Sequence, residues 1–251
     1  MDKTRYLECL AADAATLRAA VHRAGLDAGV PTCPGWTAGD LIDHVSEVYE
    51  HKIECIRQGR EPESMSKPGE HDPFERFDAA LASITTELTV RAPGDHAYSW
   101  YEPDQTVGFW VRRMPHETVI HRADAERASG GTISPIPEDL GADGVDEALT
   151  WFLKYANDNW ADYIAEQLPE APPTASVDLL GGIEPTRVSF GPKLVAIGPA
   201  DTTAPATAQI TGPAGDLDLW LWGRKDVSQL TLSGNPEAIT WLRQLMVVAT
   251  Q

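Results

Sequence analysis

Residues 169 to 175, "PEAPPTA", separate two hydrophobic periodicities that no single element can satisfy. Three prolines in seven residues remove backbone donors and fix φ, so neither a helix nor a ladder strand runs through the segment. Ahead of it apolar residues recur at three-and-four spacing, the mark of helices with one buried face. Leu7, Leu10, Ala14, Leu17 and Val21 define a first helix from Lys3 to Ala24, stopped by Gly25. A second starts at Thr37, where Asp40 completes a capping box and Trp36 is placed to staple onto Leu41, and it stops at Gly59. After a polar surface loop over 60–73, a third runs from Pro73 to Val90 on Phe74, Phe77, Leu81, Ile84 and Leu88. A fourth covers Thr106 to Ser129 and is expected to kink at Pro115, which has no N–H to give. A long helical segment from Glu138 to Leu168 presents Val145, Leu149, Phe152, Leu153, Trp160 and Ile164.

Beyond the break, "SVDLL", "TRVSFG", "KLVAIG", "ATAQITG" and "DLDLWLWG" alternate or are β-branched between glycine and proline turns, which predicts short strands. A closing helix is expected from about Pro236 to Val247. The chain therefore divides into a helical bundle over 1–170 and a small α/β domain over 173–251, an α+β architecture.

Composition narrows the function classes. A net charge of −18, from 38 acidic against 20 basic residues, repels a phosphate backbone and anionic lipid, so no nucleic-acid partner is expected. No apolar run approaches the roughly 20 residues of a membrane helix, and the N-terminus shows no signal-peptide core; a cytoplasmic protein is expected. Cys9, Cys33 and Cys55 form neither a paired framework nor a CxxC knuckle, so reduced thiols are expected, Cys33 as a small buried filler.

The chemistry concentrates in "RRMPHETVIHRADAE", residues 112 to 126. The zinc-protease spacing would need histidine at 120, where the chain has Ile120. Glu117 and His121 instead stand four apart, about 40° apart around a helix and one turn above each other, which supplies two ligands. The second helix offers His44 and His51 on one face with Glu47 between them; His44, deeper among Leu41 and Val45, is the preferred third ligand. His116 points away from that face and is assigned to packing. Asp124, three after His121, is placed to orient its imidazole, while Arg113 and Arg122 are expected in ion pairs.

"CPGWTAGDLIDHVSEVYEHK", "RRMPHETVIHRADAE" and "DLDLWLWGR" together resemble the mycothiol-dependent maleylpyruvate isomerase family of actinobacteria over nearly the whole chain. The resemblance implies a DinB-like four-helix bundle followed by a small C-terminal domain. It implies that His44, Glu117 and His121 bind zinc, and that Arg224, in the "GR" after the tryptophan-rich stretch, handles substrate. It also implies mycothiol as the low-molecular-weight thiol partner and a small electrophile as the substrate.

Two nitrogen donors and one oxygen donor leave a zinc ion an open position, the pattern of a catalytic rather than a structural site. The expected function is a zinc-dependent, or other divalent-metal-dependent, isomerase of the maleylpyruvate type or an S-transferase. Two other readings stand beside it: a metal-dependent hydrolase, and a non-catalytic metal-binding or stress protein on the same fold. Trp220 and Trp222 are assigned to the core of a strand.

Overall fold

The computed structural model describes residues 1–64, 72–201 and 203–250. The middle of the surface loop expected over 60–73 lies outside the described residues. Two compact units divide the chain, Met1–Ser134 and Pro135–Gln251.

The first unit is a four-helix bundle of α1 (Lys3–Ala24), α2 (Ala38–Gln58), α3 (Pro73–Val90) and α4 (Val107–Ala128). Its ends are set by the local chemistry expected of them. Asp2 caps α1 by accepting from the Arg5 amide at 2.8 Å. Thr37 and Asp40 form the reciprocal capping box of α2, which stops where Gly59 turns left-handed at φ 61°. Asp72 caps α3 ahead of Pro73. α4 runs unbroken through Pro115, so the missing proline donor costs one backbone bond without ending the helix.

α1 packs chiefly on α4, and α2 on α3 and α4. The core between them holds Leu10, Leu17, Leu41, Ile42, Tyr49, Phe77, Ile84, Phe109 and Trp110, all at or near zero exposure. Buried charges in this unit are paired: Arg122 lies 2.9 Å from Asp13 and 3.1 Å from Glu126, tying α1 to α4. Burial there pushes the Asp13 carboxyl up to about 6, against the pull of the Arg122 guanidinium.

The second unit begins with α5 (Glu138–Glu147), continues through a π-helical turn (Ala148–Lys154) into α6 (Tyr155–Gln167), and then builds a sheet. The five strands are β1 (Ala175–Gly181), β2 (Thr186–Gly191), β3 (Leu194–Pro199), β4 (Ala208–Gly212) and β5 (Thr231–Gly234), in the order β3-β2-β1-β4-β5. β1 and β4 are parallel and the other pairs antiparallel. Asp178 and Arg187 face each other across β1 and β2, where two guanidinium N–H groups donate to the carboxylate at 2.6 and 2.9 Å. α7 (Ala214–Leu221) packs on α5, and α8 (Pro236–Ala249) on β1 and β4.

Three expectations change here. The boundary falls at 134/135 rather than near 170, because α5, the π turn and α6 pack against α7, α8 and β3. A change of period within the chain is therefore not a change of unit: the long helical segment covers the sheet instead of joining the bundle. "DLDLWLWG" forms α7 and not a strand. Leu217, Leu219, Trp220 and Leu221 are all buried, and a helix buried on every side has no polar face to reveal its period. Trp160, expected in the core, is 52% exposed; the π turn shifts the helical phase ahead of it and its own φ and ψ leave the helical region.

α5 and α7 meet backbone to backbone. A Cβ added to Gly141 would stand 2.4 Å from the Gly215 amide nitrogen, an atom that cannot swing aside. Gly141→Ala is expected to destabilise the protein by about 1–3 kcal/mol in chemical denaturation. Gly94→Ala, where the added carbon meets nothing within 4 Å, should change stability by less than about 0.5 kcal/mol. Equal midpoints for the two variants would contradict the close approach.

Candidate metal centre

The phase of α2 follows from its capping box, since fixing the first turn at Thr37 fixes which face every later residue takes. His44 then falls on the face toward α4. On α4, the four-residue step from Arg113 to Glu117 to His121 stacks three polar side chains along one stripe. The structure brings His44, Glu117 and His121 together: one ligand atom from each lies within 4.8 Å of the others. Glu117 Oε1 is 3.2 Å from His121 Nε2 and 3.5 Å from His44 Nε2.

These separations can be tested against a cation. Ligands at about 2.0–2.1 Å from a tetrahedral zinc stand about 3.3–3.4 Å apart, and the two donor pairs straddle that value. The side chains of Glu117 and His121 are 14% and 12% exposed and that of His44 is 35% exposed, so the cluster is reached from the His44 side.

Partners behind the donors hold them in place. Asp124, fully buried on α4, accepts from His121 Nδ1 at 3.0 Å, which leaves Nε2 as the nitrogen turned to Glu117. Thr32 donates to the other Asp124 oxygen at 2.5 Å, and Cys33 Sγ lies 3.5 Å from Asp124, so the loop before α2 is tied to the same carboxylate. Cys33 is half-buried, closer to this chemistry than a simple filler. Arg113 donates to the second Glu117 oxygen.

Trp36 completes the surround. Its ring lies 4.9 Å from His44 and stacks at 6.5 Å on His121, and the two imidazoles meet edge to face at 5.0 Å. The turn "CPGW", with Gly35 at φ 86°, carries the chain back so that Trp36 reaches this position.

Opposite charges are paired closely in the cluster. Burial works to raise the Glu117 pKa, but the Arg113 guanidinium and His121 hold it well below the usual carboxylate range. Burial likewise works to lower His121, yet the Glu117 carboxylate and the Asp124 hydrogen bond push it up to about 9. The metal-free protein thus keeps a positive charge, the imidazolium, among these acidic groups.

The other sequence candidates go elsewhere. His51 pairs with Lys52 and Cys55 at 3.0 and 3.5 Å, and Glu47 reaches Arg76 on α3 at 3.7 Å. His116 is buried against Tyr6 of α1, as assigned. Arg224 lies in the second unit, just after α7, where its Nη1 donates to the Trp222 carbonyl at 2.6 Å. Arg113 was expected in an ion pair and forms one, with Glu117 as the partner, while Trp36 is the site neighbour whose role the sequence did not disclose. The signal was there for Arg113, one turn before Glu117 on the same stripe. For Trp36 the loop conformation had to be known first.

Comparison with known proteins bears on the whole chain. A model described as mycothiol maleylpyruvate isomerase N-terminal domain matches residues 7–126, and one described as MDMPI C-terminal domain matches residues 139–240. The junction between the matches coincides with the structural division of the two units, and the bundle is thereby DinB-like. No curated protein and no solved structure matches the chain. With both domain models matched in order along its length, the chain belongs to the mycothiol maleylpyruvate isomerase family.

Proposed function

We propose that this protein is a metal-dependent enzyme that uses mycothiol on a small electrophilic substrate, with His44, Glu117 and His121 holding zinc or another divalent cation. The observation that carries the proposal is the convergence of two imidazole nitrogens and one carboxylate oxygen from two helices, at 3.2 and 3.5 Å. The family description supports the thiol and the isomerase-type activity.

His44, Glu117 and His121 would hold a zinc ion, which would supply the positive charge that lowers the pKa of a thiol brought to it. The chain's own residues do the rest. Asp124 fixes the His121 ring and its tautomer. Arg113 holds Glu117 ionised and in one rotamer. Trp36 walls the cluster with an apolar face that limits water. Arg224 is proposed to take part in substrate handling, as the family resemblance implies. The thiolate sulfur adds to a conjugated carbon of the substrate, and the former double bond turns as a single bond. Expulsion of the sulfur completes a cis–trans isomerisation; protonation of the adduct instead completes an S-transfer.

His44→Ala and Glu117→Ala are expected to fold, to lose bound metal, and to lose mycothiol-dependent turnover by at least about 100-fold, read by metal analysis and assays with and without thiol. Full activity in either variant would overturn the ligand assignment, and turnover without thiol would mark a hydrolase. Arg224→Ala should keep its metal and raise KM for an anionic electrophile; an unchanged KM removes the arginine from substrate handling. Asp124→Asn retains all three donors but loosens His121. Its metal affinity should fall about 10- to 100-fold in a chelator competition, and an unchanged affinity would show that Asp124 does not support the site.

A further inference from the structure

The buried cations of the bundle come with carboxylates. Arg76 has Asp43, Glu47 and Glu50, Arg113 has Glu117, and Arg122 has Asp13 and Glu126. Lys52 of α2 does not. It is half-buried, its Nζ lies 5.1 Å from the centroid of the Trp110 ring on α4, and it donates to His51 Nδ1 at 3.0 Å. Among the described residues no carboxylate comes within ion-pairing distance of it. In a chain with 38 acidic and 20 basic residues, a half-buried lysine with no carboxylate in direct contact among the described residues is the exception that needs a cause.

Burial pulls the Lys52 pKa below the ordinary lysine value, against the longer-range pull of Glu117 and Glu61. Its position gives the missing partner a place. α2 and α4 run antiparallel, with His44 opposite Glu117 and His121, Tyr49 hydrogen-bonded to Thr118, and Lys52 opposite Trp110. Lys52 is eight residues beyond His44 and Trp110 seven before Glu117, which puts this rung of the groove about 10–12 Å along the helices from the metal rung. Arg113 lies between the two rungs with its charge committed to Glu117.

We propose that Lys52 is a carboxylate anchor in the α2–α4 groove, so that the substrate is an anionic electrophile whose carboxylate pairs with this ammonium while its reactive carbon lies toward His44, Glu117 and His121. The second half rests on the metal-dependent reading above, whereas carboxylate binding at Lys52 does not. Trp110 and His51 hold the ammonium in place, Trp110 through its ring face and a neutral His51 as acceptor.

Calorimetric titration of the full-length protein with succinate, and with its uncharged isostere succinamide, tests this directly. Succinate is expected to bind the wild type, to bind Lys52→Met at least about tenfold more weakly, and to recover in Lys52→Arg, with succinamide indifferent to all three. Metal content measured on the same preparations should be equal. Succinate affinity unchanged in a folded Lys52→Met, or no succinate binding to the wild type, would overturn the anchor. Preparations that hold no metal yet keep the Lys52-dependent binding would sink the metal reading and leave the anchor standing.

Discussion

A carboxylate buried between helices is costly unless partners surround it, and Glu117 has one on each of three sides. Arg113 lies one turn below it, His121 one turn above, and His44 across the groove on α2. The arrangement couples the register of α4 to the phase of α2. In the metal-free protein His121 carries a positive charge, with Asp124 on its other nitrogen. Asp124 in turn gathers Thr32 and Cys33, so the loop that ends in Trp36 is anchored to the same residues. Helix phase, loop conformation and the surrounds of the site all converge on this carboxylate.

Much of this was legible in the residues because the determinants are local. The capping box at Thr37 and the stop at Gly59 are short-range hydrogen-bond and dihedral requirements, and the ends of α2 fall where they say. Four-residue spacing sufficed to place Glu117 and His121 on one face, and the choice of His44 over His51 agrees with where the structure puts each imidazole. What was not legible depends on non-local packing. α7 reads as a strand because its residues are buried all round, and a buried helix shows no polar period. The π turn adds a residue to one helical turn and throws Trp160 to solvent, a phase slip that no regular pattern announces. The allegiance of α5 and α6 depends on which surface covers the sheet, and composition does not encode it.

The two units carry different kinds of constraint. In the second, Gly141 lets α5 and α7 touch backbone to backbone, and Arg187 and Asp178 lock neighbouring strands, features that serve stability. In the first, polar groups follow one another along α2 and α4 from His121 to Lys52, and among the described residues no carboxylate stands within ion-pairing distance of Lys52. A half-buried charge with no counter-ion in direct contact is a place to look for ligand chemistry.

X-ray absorption at the zinc edge of the reconstituted protein tests the central claim most directly. The account predicts a shell with two imidazole nitrogens and at least one oxygen at about 2.0–2.1 Å, gaining a sulfur at about 2.3 Å when mycothiol is added. A shell lacking two imidazoles, or one that does not change on addition of the thiol, would contradict it.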